Sequence, residues 1–284
     1  MIAWRRVAIL GTGLIGGSFA AALRARGLAS EVRGFGPQST EAHALGLVDL
    51  ACEDIAAAVA DAELVVLAAP PSAIAPLMRA IAPHLARDAL LTDMTSTKQS
   101  VVLAARAELG SAFGRFVPGH PIAGSERQGP AAAKAQLFEG ARCVLCPQLE
   151  TDAHALERVR QTWAAIGAKP ACMTAHEHDE IFAAVSHLPH VLAFALAASL
   201  ADRPDGDALL QWAGGGLRDT SRIAASSPAL WADILLDNGP AVTAAGKALI
   251  ERCEALLAAI TQGDRAGLEA QITHAAQWRR RLPV

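Results

Sequence analysis

Six residues near the amino terminus constrain the fold of this chain more than any others. Gly11-Thr12-Gly13-Leu14-Ile15-Gly16 follows a short apolar run, Arg6–Leu10, and opens an alanine-rich stretch, Gly16–Ala25. A strand, a glycine turn and a helix start form the context in which G-x-G-x-x-G binds a dinucleotide. Gly11 permits the tight turn, Gly13 lets the backbone approach a pyrophosphate, and Gly16 lets the helix pack closely. The helix start adds free N–H groups and the positive end of its dipole. Gly11, Thr12, Gly13, Leu14, Ile15 and Gly16 are therefore the expected cofactor-binding residues.

The segments that follow keep the same pattern. Strands are expected at Arg6–Leu10, Glu31–Phe35, Leu64–Ala68, Ala89–Thr92, Arg115–Val117 and Arg142–Cys146, with helical stretches such as Ile74–Leu85 between them. Such alternation gives a parallel-rich sheet with helices on both faces. A further helix is expected from about Thr151 to Ile166, capped by Thr151 or Asp152 and ended at Gly167. Beyond His176 the strand signals stop. Helices are expected at Ile181–Leu200, Asp207–Trp212, Pro228–Leu236, Pro240–Thr261 and Asp264–Arg280. The expected fold class is thus an α/β N-terminal Rossmann-type domain, residues 1–170, followed by an all-α C-terminal domain, residues 171–284. Alanine- and leucine-rich helices without a sheet of their own must bury a face against each other or against a second subunit.

Composition narrows the function. A net charge of -3 lacks the basic excess of a nucleic-acid binder. Five cysteines form no disulfide framework. Cys143 and Cys146 make a single CxxC inside an apolar run that reads as a buried strand. Met1–Arg6 and the run after it imitate a leader, but three glycines break that run. No uninterrupted apolar stretch reaches the ~20 residues of a membrane span. A cytoplasmic protein without membrane partners is expected. The sequence contains no tyrosine, so proton chemistry falls to histidine, lysine, cysteine or carboxylates.

The type of dinucleotide is read from the tip of the second strand. An acidic residue there would hold the adenosine ribose 2′-hydroxyl. The chain reads Gly34-Phe35-Gly36-Pro37-Gln38-Ser39-Thr40, with Gly36 where the carboxylate is expected. Nothing there repels a 2′-phosphate; Ser39 and Thr40 offer donors to it, and Arg33 is close in sequence. NADP, or use of both NADP and NAD, is expected.

Four polar islands interrupt the apolar chain: Asp93-Met94-Thr95-Ser96-Thr97-Lys98, Gly119-His120-Pro121-Ile122-Ala123-Gly124-Ser125-Glu126, Ser186-His187-Leu188-Pro189-His190, and Gly214-Gly215-Gly216-Leu217-Arg218-Asp219-Thr220-Ser221-Arg222. The last is followed by Pro228, Trp231 and Asn238. In this fold the loops at the carboxyl ends of the strands form the ligand crevice. Taken together with the glycine turn, these islands resemble, in order and from end to end, the prephenate/arogenate (cyclohexadienyl) dehydrogenase family of tyrosine biosynthesis.

That resemblance implies a Rossmann domain followed by a helical domain that forms a homodimer. It also implies oxidative decarboxylation of prephenate to 4-hydroxyphenylpyruvate, or of arogenate to tyrosine, with hydride transfer to NAD(P)+. His120 is implied as the base for the substrate C4 hydroxyl, a task suited to a neutral imidazole. Ser96 is implied to orient His120 and the nicotinamide. Arg222 is implied to grip a substrate carboxylate in a bidentate manner, with Glu126 and Asp219 holding the arginine. His187, Trp231 and the turn at Gly214 are implied to line the substrate pocket. Tyrosine is implied as a candidate inhibitor at that pocket.

The remaining histidines are expected to be less specialised. His43, His84, His154 and His274 read as surface residues, and His190 as a helix-packing residue. His176 and His178 flank one residue, but no carboxylate stands at convincing ligand spacing and no metal is expected. Lys98, at a helix start, is expected to be solvated. A hydroxyacid dehydrogenase would share the architecture, but many rely on a lysine in the helical domain, and Lys247 is the only lysine beyond residue 170. A non-catalytic NAD(P)H sensor would need no base at the crevice.

Overall fold

The computed structural model describes residues 3–125 and 127–282. Six strands form one parallel sheet: β1 (Trp4–Leu10), β2 (Ala29–Phe35), β3 (Leu50–Cys52), β4 (Leu64–Leu67), β5 (Leu90–Asp93) and β6 (Phe116–Val117). Their order across the sheet is β3-β2-β1-β4-β5-β6. Both faces are covered, which is why the central strands read as continuous apolar runs. Along β1, Val7 and Ile9 enter one core with Phe19, Leu23, Phe138 and Trp163. Ala8 and Leu10 enter the other, with Val65, Leu67, Ile74 and Met78. The register sets Leu10 level with Phe35 on one side and Leu67 on the other, and Leu67 level with Asp93. The strand order reverses beside β1, so the crevice at this carboxyl edge lies at the topological switch point.

The expected strand at Arg142–Cys146 belongs to a different sheet. A three-stranded sheet joins β7 (Gly119–Pro121), β8 (Arg142–Leu145) and β9 (Lys169–Cys172), with β7–β8 antiparallel and β8–β9 parallel. Neither β7 nor β9 carries a strand signal, because each is short and contains a proline. Cys143 and Cys146 are buried free thiols. Burial pushes both thiols up, Cys146 to about 12, so neither forms a thiolate near neutral pH.

Helix Ala153–Ala165 is capped by Asp152, whose carboxylate accepts from the N–H groups of His154 and Ala155 at 2.7 and 3.0 Å. Helix Ala175–Phe182 opens on a capping box between Thr174 and Glu177. A π-helical turn, Ala183–His187, leads into Leu188–Ala201. Pro189 has no N–H to offer the carbonyl one turn back, which favours a local departure from α-helical bonding. The stretch Ala175–Ala201 is long and apolar enough to cross a membrane by length and composition. Yet it holds His178, Asp179 and His187, all buried and hydrogen-bonded.

Residues up to Asn238 form one compact unit, and the rest of the chain forms a second. By packing, the helices between residues 175 and 237 therefore group with the sheets. Helix Pro228–Asp237 lies against Pro71–Ile81. Ser72 Oγ donates to Asp233 at 2.5 Å, and Ser100 Oγ to Asp237 at 2.5 Å. The second unit contains helices Gly239–Gln262 and Arg265–Arg279, which pack on each other. Asp264 caps the latter through the Gly267 N–H at 2.9 Å.

Candidate active site

The glycine turn is shaped for a dinucleotide. Gly11 has φ +105°, and a Cβ there would collide with the Ala68 carbonyl. A Cβ on Gly16 would collide with the Gly11 carbonyl. Helix Leu14–Ala25 starts at Gly13 with no side-chain cap and no acidic residue in its first turn, so its leading N–H groups stay available to an anion. Thr12 Oγ1 is buried without a hydrogen-bond partner. Leu14 and Ile15, partly buried, begin the helix. An uncapped helix start, a cradle that a Cβ would fill and an orphaned hydroxyl together fit a pyrophosphate.

Gly36 has φ +126° and faces the Gly11 backbone, with its added Cβ 3.7 Å from Gly11 N. Ser39 is buried and Thr40 exposed at the start of helix Ser39–Ala44. Arg33 does not reach this tip as sequence proximity suggested. Its Nε donates to Glu31 at 2.5 Å and its guanidinium to the Ala57 carbonyl at 2.7 Å. Gln38 lies nearest Gly13 instead, its Oε1 3.1 Å from an added Cβ.

The first polar island follows β5. Lys98 is not solvated, as its place at a helix start suggested. It is fully buried and paired with Asp93, which is equally buried. Its Nζ also donates to Thr95 Oγ1 at 2.8 Å. The exposed position is lost because Asp93, at the end of a strand inside the sheet, needs a cation. Asp93 Oδ1 also accepts from the Gly119 N–H at 2.9 Å. A Cβ on Gly119 would stand 2.8 Å from the Asp93 carbonyl oxygen, so only glycine lets β7 approach β5 this closely. Asp93 thereby ties the loop carrying Ser96 to the strand carrying His120. Ser96 is half-buried on that loop.

A chain of polar side chains runs back from His120. Its Nδ1 lies 2.8 Å from His178 Nε2. His178 Nδ1 lies 2.8 Å from Asp179 Oδ1. Asp179 accepts from the backbone N–H groups of Lys98 and Gln99 at 2.8 and 2.9 Å. Phe182 packs on both imidazoles, with ring centroids at 4.9 and 4.5 Å. Burial holds His120 well below the ordinary imidazole range, and the neighbouring His178 and Lys98 push it the same way. Burial also lowers His178, against the opposing pull of Asp179. Burial raises Asp179, but the bonds from His178, Gln99 and Lys98 outweigh it and the carboxyl ends below its usual range.

A second cluster lies beside the first. Asn238 Nδ2 donates to the Asp179 carbonyl at 2.8 Å and meets His187 Nδ1 at 3.2 Å. His187 is buried, its Nε2 has no hydrogen-bond partner, and burial lowers its pKa to about 4. Trp231 stacks on His190 at 3.5 Å between ring centroids and meets His187 edge-on at 6.0 Å. His190 Nδ1 is 2.9 Å from the Ser186 carbonyl, and the charge of Arg222 acts on its ring. Arg222 is exposed at the end of helix Gly215–Ser221, which packs on Leu188–Ala201. Gly214, the N-cap of helix Gly215–Ser221, and Asp219 within it are exposed, and a Cβ on Gly214 would meet nothing within 4 Å. Glu126 lies outside the described residues.

The structure therefore brings His120 and His187 into one buried polar region with Trp231 and His190 beside it. It leaves Gly214 and Asp219 open on an exposed face. His178 and Asp179 were missed as functional residues, since the HxH spacing was weighed only for metal. His176 is exposed and His178 buried, so the pair never shares a face. The capping box at Thr174–Glu177 was the available signal: it fixes the helix register that turns His178, Asp179 and Phe182 inward.

Residues 19–171 match the family described as prephenate dehydrogenase, nucleotide-binding domain, and residues 174–274 match prephenate dehydrogenase, dimerization domain. The chain belongs to the prephenate dehydrogenase family. Its activity is prephenate/cyclohexadienyl dehydrogenation in tyrosine biosynthesis, that of an oxidoreductase. It is 36% identical over 247 residues to cyclohexadienyl dehydrogenase of Zymomonas mobilis, covering 85% of this chain and 84% of that one. Prephenate dehydrogenase of Aquifex aeolicus, solved with hydroxyphenyl propionate and NAD+, superposes with a TM-score of 0.90 at 32% identity, covering 98% of each chain. Arogenate dehydrogenase of Synechocystis superposes with a TM-score of 0.79 at 30% identity, covering 97% of this chain and 99% of that one. The family match begins at residue 19, so the cofactor role of the glycine turn rests on its geometry.

Proposed function

We propose that His120 is the general base in oxidative decarboxylation of prephenate to 4-hydroxyphenylpyruvate and of arogenate to tyrosine. The observation that carries this reading is a neutral imidazole at the carboxyl edge of the sheet, on a strand bound through Asp93 to the Ser96 loop. His120 takes the proton of the C4 hydroxyl as the C4 hydride leaves. The C1–carboxylate bond breaks, carbon dioxide departs, the bonding electrons complete an aromatic ring, and His120 returns its proton to the phenolate oxygen. Bound at Gly11–Gly16, a nicotinamide dinucleotide supplies the hydride acceptor. Ser96 orients the hydroxyl, and His187 donates from Nε2 to a substrate oxygen. Arg222 holds a carboxylate, with Asp219 and Glu126 positioning the guanidinium. Trp231 and the Gly214 turn close the pocket, and tyrosine inhibits by occupying it.

NADP is accepted alongside NAD, because Gly36 replaces the carboxylate that would repel a 2′-phosphate. Ser39 and Thr40 serve that phosphate. Residues 1–170 bind the cofactor, and residues 171–284 bind substrate and form the homodimer, in a cytoplasmic enzyme. The test is a steady-state comparison of prephenate and arogenate, each with NAD and NADP, on wild type and His120→Asn. The variant should bind cofactor normally and lose about 10²–10⁴-fold in kcat. Undiminished turnover would remove His120 from the mechanism, and a strong preference for NAD would overturn the cofactor reading.

A further inference from the structure

We infer that Asp179 and His178 act as a tautomer relay that fixes the proton of His120 on Nδ1 and leaves the Nε2 lone pair facing substrate. This rests on the reading of His120 as the base and specifies how the ring is held ready. Donors and acceptors along the chain fix each tautomer. Asp179 receives two backbone N–H bonds, from Lys98 and Gln99. A carboxylate in that setting is ionised and accepts only. His178 Nδ1, 2.8 Å from Asp179 Oδ1, must therefore carry its hydrogen. A neutral His178 then has only a lone pair on Nε2. That atom is 2.8 Å from His120 Nδ1, so the hydrogen between the rings belongs to His120. The proton of neutral His120 is thereby used, and Nε2 is the basic nitrogen.

The relay is built into the fold. Asp179 stands on helix Ala175–Phe182 and is clamped to the start of helix Gln99–Glu108. His120 stands on β7, and Phe182 packs on both rings. His178 and Asp179 touch the base and not the reacting atoms, so they are positioning residues. Without them His120 would divide between two tautomers, of which only one presents a base.

Asp179→Asn reverses the logic. The Lys98 N–H and His178 both meet Oδ1, while the Gln99 N–H meets Oδ2. With the amide oxygen kept on the Gln99 N–H, the NH2 takes the Oδ1 place, gives up the Lys98 N–H bond and donates to His178 Nδ1. The His178 hydrogen then moves to Nε2 and donates to His120 Nδ1, which forces the His120 hydrogen onto Nε2. The experiment is two-bond 1H–15N correlation on the full-length chain labelled with 15N-histidine, near neutral pH, with His120 assigned from the His120→Asn spectrum. Wild type should show a pyrrole-type Nδ1 and a pyridine-type Nε2 at His120. Asp179→Asn should exchange the two signatures and lose about 10²–10⁴-fold in kcat with KM little changed. A role confined to anchoring the two helices would alter stability and leave the His120 signature as in wild type, which overturns the relay. A pyrrole-type Nε2 in wild type overturns it too, and that spectrum decides the matter alone if Asp179→Asn does not fold. The base assignment fails by a separate result: turnover retained in His120→Asn.

Discussion

At the scale of single residues, the site depends on imidazoles that resist protonation. His120, His178 and His187 all lie below the ordinary value of 6.5, each chiefly through burial. A base must be neutral to act, so His120 stays competent well below pH 6.5. The kcat/KM profile should be level from pH 8 through 6.5 and fall only at lower pH, as a pH series of initial rates would record. The same shifts act on stability with a definite sign. In the unfolded chain these rings take up protons near pH 6.5, while the folded chain excludes them. The unfolded state then binds more protons, so stability declines as pH falls below about 6.5. For His187 the decline continues down to its folded value of about 4. Urea denaturation across pH 4–8 measures it.

His187 offers a second residue-scale prediction. Asn238 donates to Nδ1, so the hydrogen of His187 sits on Nε2, buried and without a partner. A buried orphan donor is costly unless a ligand accepts from it. Replacing it by His187→Leu should lower kcat/KM about 10- to 100-fold, the loss of one hydrogen bond to a charged group. Most of that loss should appear in KM, because the proton and hydride transfers belong to other residues. His120 and His187 were legible because both stand in polar islands. His178 and Asp179 were not, because a buried polar pair on an amphipathic helix looks like surface until its partners on other elements are known.

At the scale of elements, legibility followed length and apolarity. β1, β2 and β4 announce themselves because a strand buried on both faces must be apolar at every position. β7 and β9 do not, because each is short, contains a proline and draws its stability from neighbours distant in sequence. Lys98 shows the same dependence. Its burial follows from Asp93 and Thr95 closing around it across a strand end, which no local pattern expresses. Removing one partner of such a pair leaves a buried charge uncompensated. Lys98→Met should therefore cost about 3–5 kcal/mol in chemical denaturation. It should also loosen the junction between the Ser96 loop and β7, so kcat should fall even where the protein remains folded. A Lys98→Met protein as stable as wild type would show that Asp93 is satisfied without the cation.

At the scale of the molecule, the sequence is 52% hydrophobic, and a single chain leaves part of that surface uncovered. Within the first unit, Ile181, Val185 and Leu192 are exposed along an otherwise apolar helical stretch. Within the second, Ile250, Leu257 and Ile260 are exposed on helix Gly239–Gln262, at 57%, 62% and 60%. Spacings of seven and three residues place these three on one helical stripe. An exposed apolar stripe of this kind suits an interface, and residues 174–274 match a dimerization domain. Sedimentation equilibrium should give twice the monomer mass. An acidic side chain in the middle of the stripe, Leu257→Glu, adds a charge that an apolar interface would bury without a partner. It should shift the protein toward monomer and remove the rise of Tm with protein concentration that a dimer shows. The cofactor cradle at Gly11–Gly16 is built wholly from the amino-terminal segment, so dinucleotide binding by the monomeric variant should persist. A dimer unaffected by Leu257→Glu would move the interface to the exposed apolar residues of the first unit, where Val185→Glu gives the corresponding test.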